Sequence, residues 1–121
     1  MKGKILIIDD DESMRELLQL ELSDEGYDVT LAESGLEGMQ QIKDNQFQLV
    51  ILDIRMPGMD GIEALEKIIN TQRGLPVILH SAYSHFKENF RTWSATSYVV
   101  KSMDLTELKE AVHNNIKPEG A

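Results

Sequence analysis

Short, strongly apolar runs alternate along this chain with longer stretches in which apolar residues recur every three or four positions. The runs lie at residues 4–9, 28–32, 48–53, 76–80 and 97–101, and their Ile, Val and Leu content predicts strands. Between them, Met14, Leu17, Leu18 and Leu22 share one face of a first helix, which Gly26 closes. Leu36, Met39 and Ile42 predict a second helix, and Ile62, Leu65, Ile68 and Ile69 a third. Residues 84–93 carry the least regular helical pattern; Leu105, Leu108, Val112 and Ile116 mark the last helix.

Strands that alternate with helices in this way are joined by right-handed crossovers into a parallel sheet with helices on both faces. The expected fold is therefore an α/β, doubly wound, five-stranded parallel sheet. Ile5-Leu6-Ile7-Ile8 and Leu49-Val50-Ile51-Leu52 are apolar throughout rather than alternating, as central strands buried on both sides require. No internal repeat or interior linker interrupts the pattern. A single domain is expected over residues 1–117, with residues 118–121 a tail or the start of a linker, because Pro118 stops the last helix.

Ligands of open parallel sheets bind beyond the carboxyl ends of the strands, so the residues at those ends carry the chemistry. Strand one ends in Asp9-Asp10-Asp11, strand three in Asp53, strand four in His80-Ser81 and strand five in Lys101. Crowded carboxylates favour a hard divalent cation with oxygen ligands, Mg²⁺ above all. A carboxylate that is already ionised can attack phosphorus without a general base, and a cation relieves its repulsion with the incoming phosphoryl oxygens. Lys101 supplies a further positive charge, and Ser81 a hydrogen bond, to the same oxygens.

Charge and composition narrow the partners. The 121 residues carry a formal net charge of −9, and 16 of the 21 Asp and Glu residues fall within residues 1–66. Such a surface repels nucleic acid, so no direct nucleic-acid binding is expected. There are no cysteines, which excludes thiolate metal sites and a Cys nucleophile. The apolar runs are too short to span a bilayer and the N-terminus lacks the form of a signal peptide, so no membrane partner and a cytoplasmic location are expected.

Four motifs in order give the sequence a family likeness. They are Ile5-Leu6-Ile7-Ile8-Asp9-Asp10-Asp11, then Leu52-Asp53-Ile54-Arg55-Met56-Pro57-Gly58-Met59-Asp60-Gly61, Ser81-Ala82, and Tyr98-Val99-Val100-Lys101. Over essentially its whole length the chain resembles the receiver (CheY-like) domains of bacterial two-component response regulators. The resemblance implies the flavodoxin-like strand order 2-1-3-4-5. It also implies Asp53 as phosphoacceptor, with Lys101 and Ser81 assisting and Ser81 and Tyr98 forming the switch. Mg²⁺, with Mn²⁺ as the alternative, would be held by Asp9, Asp10, Asp53 and the backbone carbonyl of Arg55. The implied donor is a phosphohistidine on a sensor histidine kinase or phosphotransfer protein. The implied output is a reshaped surface of the helix after strand four, strand five and the last helix. That surface would bind a downstream effector protein or domain, the chain being a monomer or a phosphorylation-dependent dimer. On this reading the domain promotes its own phosphorylation and dephosphorylation and is not a turnover enzyme.

The sequence departs from the family at Ser102, where proline is usual. The cis bond common there in relatives costs about 3–4 kcal/mol for other residues, which leaves the cis or trans state of the Lys101–Ser102 bond, and the reach of Lys101, open in the sequence. Ser94-Ala95 replaces the usual Gly-Ala, and Phe86, Phe90 and Trp93 mark the helix after strand four, a stripe read as core. Asp11 is read as a helix cap, as is Asp60 paired with Glu63. His80, His85 and His113 lack ligand spacing and are read as structural or surface residues. Three other functions fit less of the sequence. A receiver used only for protein binding would not need the acids, Asp53 and Lys101. A phosphohydrolase would need an Asp where Arg55 stands, and a flavin mononucleotide carrier would need a phosphate loop where the acids stand.

Overall fold

A computed structural model of the chain describes residues 2–54, 59–82 and 95–116, and of residues 59–61 the backbone alone. The predicted helix at residues 84–93, with Phe86, Phe90 and Trp93, lies outside the described residues, as do Arg55 and residues 117–121. The elements follow in the order β1 (Lys4–Ile8), α1 (Glu12–Asp24), β2 (Asp28–Ala32), α2 (Gly35–Asp44), β3 (Leu49–Leu52), α3 (Met59–Thr71), β4 (Val77–Ser81), β5 (Ser97–Val100) and α4 (Thr106–Asn115).

The helix ends are set by local chemistry. The Asp11 carboxylate accepts hydrogen bonds from the backbone N–H groups of Ser13 and Met14, so it caps α1 as its sequence position predicts. At the other end Gly26 takes φ 100°, which a side chain would resist, and its N–H donates to the Ser23 carbonyl. Ser34 caps α2 by accepting from the Glu37 N–H. The third helix starts at Met59, so Asp60 already lies inside its first turn.

The five strands are all parallel and run in the order β2-β1-β3-β4-β5. Burial follows the register. Leu6, Ile8, Val50, Leu52, Val77, Leu79 and Tyr98 face one side and pack with Ile42 of α2 and Ala64, Leu65 and Ile68 of α3. Ile5, Ile7, Leu49, Ile51, Ile78 and Val99 face the other side, under Leu18 and Leu22 of α1 and Leu108 and Val112 of α4. Both faces are thus covered, and the strands that read as apolar throughout are the central ones. Leu36 departs from expectation. It is 83% exposed, because the inward positions at the start of α2 are taken by glycines, with Gly38 pressed against the side chain of Ile8. Among the described residues no helix is long and apolar enough to cross a membrane.

Candidate functional site

Strand pairing brings the reactive residues together. Ile8 pairs with Leu52, Leu52 with Leu79, and His80 with Val99. The ladder runs on past β1 and β3, for the Asp9 N–H donates to the Ala32 carbonyl and the Asp53 N–H to the Ile8 carbonyl. One step beyond Ile8 and Leu52, therefore, Asp9, Asp53 and His80 form a single row across the sheet. Strand alternation puts that row on the side covered by α1 and α4. Ser81, the next residue of β4, points to the opposite side.

Each acid is fixed by the backbone around it. Asp9 is 3% exposed; its Oδ1 accepts from the Asp11 N–H at 2.9 Å, and its carbonyl accepts from Arg15 Nη1 at 2.8 Å. Carboxylate oxygens of Asp9, Asp10 and Asp53 all lie within 4.8 Å of one another. Lys101 reaches this cluster from the end of β5. Its Nζ lies 3.0 Å from Asp9 Oδ2 and donates to Asp53 Oδ2 at 3.1 Å. The Lys101 N–H donates to the Ser81 carbonyl at 2.6 Å, which ties the start of the following loop to β4. No cis peptide bond occurs among the described residues, so the Lys101–Ser102 bond is trans and the lysine still reaches Asp53.

Electrostatics favour a cation here. Burial, then the charge of Asp9, push the Asp53 carboxyl up to about 6, although Lys101 pulls the other way. Burial alone would lower the Lys101 pKa, but its contact with Asp9 and the charges of Asp53 and Asp9 outweigh that and raise it. One ammonium among three carboxylates leaves negative charge uncompensated, and the oxygen-only donor set of Asp9, Asp10 and Asp53 fits a hard divalent ion. Arg55, whose carbonyl is the fourth expected ligand, lies outside the described residues.

The two residues expected to form a switch are both buried. Ser81 is fully buried and its Oγ donates to the Ile54 carbonyl at 3.0 Å. Tyr98 is 4% exposed and packs in the core cluster with Ala95. Two residues that the sequence reading gave no role also bear on the site. Arg15, one turn into α1, holds the Asp9 carbonyl, and His80 occupies the row of Asp9 and Asp53. The place of His80 at the end of β4 was visible in the sequence, but its row is set by the strand pairing.

A doubly wound parallel sheet with acids at the ends of β1 and β3 and a lysine from β5 resting on the β3 acid defines a class of phosphoryl-accepting signalling domains. Residues 5–113 match the response regulator receiver domain family. The chain belongs to this family and is a receiver domain of two-component signal transduction. It is 35% identical over 121 residues to the uncharacterized transcriptional regulatory protein YkoG of Bacillus subtilis, covering 98% of this chain and 53% of that protein. It is 38% identical over 108 residues to the transcriptional regulatory protein ZraR of Escherichia coli K12, covering 87% of this chain and 24% of ZraR. The chain thus spans about half the length of YkoG and about a quarter of ZraR. Among solved structures, the response regulator TrrA of Thermotoga maritima in complex with Mg²⁺-BeF superposes with a TM-score of 0.87 at 42% identity, over 96% of this chain and all of that one. TrrA in complex with the histidine kinase ThkA matches with a TM-score of 0.86 over 97% of this chain.

Proposed function

We propose that Asp53 accepts a phosphoryl group from a phosphohistidine donor, with Lys101 and Ser81 binding the transferred phosphoryl oxygens. The observation that carries this reading is the Lys101 ammonium on Asp53 Oδ2, within a group of three carboxylates whose oxygens lie close enough to share a cation. An Asp53 oxygen attacks phosphorus, the P–N bond of the donor breaks, and its electron pair returns to the imidazole. Mg²⁺, or Mn²⁺ in its place, would supply the positive charge that offsets repulsion between the acceptor carboxylate and the phosphoryl oxygens. Asp9, Asp10, Asp53 and the Arg55 carbonyl would hold it. Lys101 then exchanges a carboxylate oxygen for a phosphoryl oxygen. Water attack on the acyl phosphate at the same site ends the signal, so the domain assists its own phosphorylation and dephosphorylation.

Readout starts at Ser81. Its hydroxyl leaves the Ile54 carbonyl for the phosphoryl group, and the packing around Tyr98 and Ala95 adjusts to the space this opens. The receiver domain is assigned to residues 1–117, with 118–121 a tail or linker. Its partners are a sensor histidine kinase or phosphotransfer protein, as ThkA is for TrrA, and a downstream effector protein or domain. The domain acts in the cytoplasm, as a monomer or a phosphorylation-dependent dimer, without touching nucleic acid itself.

Beryllofluoride, a phosphoryl mimic, tests the site. With Mg²⁺ the wild-type chain should give a bound ¹⁹F resonance that vanishes in Asp53→Asn and when Mg²⁺ is removed. A bound signal that survives Asp53→Asn would place the acceptor elsewhere.

A further inference from the structure

The Asp9–Asp53 row holds one polar side chain that the phosphoryl-transfer reading leaves unused. His80 is 1% exposed, and its neighbours on this side of the sheet include the aliphatic Ile78 and Val99. Its Nδ1 is buried without a hydrogen-bond partner among the described residues. Leucine would fill such a place without stranding a nitrogen, so an imidazole there is destabilising unless another state of the site uses it. Burial, then the charge of Lys101, hold the His80 pKa down to about 4, with Asp9 opposing, so the ring is neutral and keeps a lone pair. Both charged groups that act on the ring belong to the site. Lys101 at present directs its ammonium to Asp9 Oδ2 and Asp53 Oδ2. A cation and a phosphoryl group on these two carboxylates would compete with that contact.

We propose that His80 is a positioning residue for phosphoryl transfer: with its ring proton on Nε2, Nδ1 accepts a hydrogen bond from Lys101 once Asp9 and Asp53 are engaged elsewhere. The inference rests on Asp53 being the phosphoacceptor. The imidazole keeps the ammonium beside the phosphoryl oxygens when its carboxylate anchors loosen. It acts through Lys101 and touches no reacting atom.

The test compares the full wild-type chain with His80→Leu and His80→Gln, following phosphoryl uptake from acetyl phosphate and Mg²⁺ by intact mass. His80→Leu should melt at or above the wild-type temperature yet take up phosphoryl about tenfold more slowly, the loss of one hydrogen bond to a charged group. His80→Gln, which restores an acceptor, should recover most of the rate. In a Lys101→Ala background His80→Leu should cost nothing further. Uptake by His80→Leu at the wild-type rate, or an equal slowing with and without Lys101, would overturn the proposal. A second readout needs no variant. In long-range ¹H–¹⁵N spectra of the wild type, the His80 Nδ1 signal should shift when beryllofluoride and Mg²⁺ bind, and an unmoved signal refutes the inference. A wild type that takes neither phosphoryl nor beryllofluoride would instead remove the parent reading, an outcome distinct from failure at His80 alone.

Discussion

A carboxylate that is to attack phosphorus must be ionised, yet burial and Asp9 push the Asp53 carboxyl up to about 6. Relative to its ordinary value near 3.8, the metal-free fold favours the protonated acid. The stability this residue contributes is full below about pH 4 and is lost as pH rises through about 6. His80 has the opposite slope. Its pKa falls from 6.5 to about 4, so its contribution is full above about pH 6.5 and is lost as pH falls towards 4. Single substitutions separate the two. In chelator-treated protein, Asp53→Asn should be more stable than wild type by about 1–3 kcal/mol at neutral pH, with the gap closing in acid. His80→Leu should exceed wild type most in acid and lose that advantage towards neutrality. Urea unfolding at a series of pH values measures both, and a pH-independent Asp53→Asn gap would contradict the assignment of the shift. The convergence of Asp9, Asp53 and Lys101 was readable from strand ends, because each ends an apolar run. That of His80 was not: an isolated histidine has no ligand spacing, and its row becomes visible only once the strands are paired.

At the scale of the elements, capping chemistry and periodicity carried most of the fold. Asp11, Ser34 and Gly26 sit at helix ends and make the bonds that such residues make there. Strand limits moved by a residue at β1, β3, β4 and β5, which leaves the order of the site residues unchanged. The miss is instructive at α2, where Leu36 completes an apolar spacing but faces solvent. A pattern read from large residues overlooks a helix whose buried face begins with glycine. Gly38 is there because a β-carbon would run into Ile8, itself buried under α2. Alanine is the better helix former by about 1 kcal/mol, but overpacking a filled core costs about 1–3 kcal/mol. Gly38→Ala should therefore be net destabilising by about 1 kcal/mol, read as a lower urea midpoint with unchanged slope. A more stable variant would mean that Ile8 yields freely, and that α2 is not held to the sheet by this close approach.

Across the whole molecule, one register decides the function. Four strand pairings carry Asp9, Asp53, His80 and Ser81 to the same edge, and Lys101 joins them from the far strand. Strand–helix alternation implied this edge in the sequence, and the family likeness supplied the strand order. Side-chain geometry stayed hidden, because it depends on contacts between residues far apart in the chain. The Arg15 bond to the Asp9 carbonyl and the twofold hold of Lys101 are such contacts. Ser102 after Lys101 suggested a loop unlike the family's, yet the lysine is anchored through its own N–H to Ser81, a bond indifferent to the residue that follows. The central claim is that this assembly transfers a phosphoryl group to Asp53. The most direct test is incubation with acetyl phosphate and Mg²⁺, followed by intact and peptide mass spectrometry. The account predicts one Mg²⁺-dependent phosphoryl group on the peptide that contains Asp53, absent in Asp53→Asn. A phosphoryl group on any other peptide, or none in a protein that also refuses beryllofluoride, would contradict it.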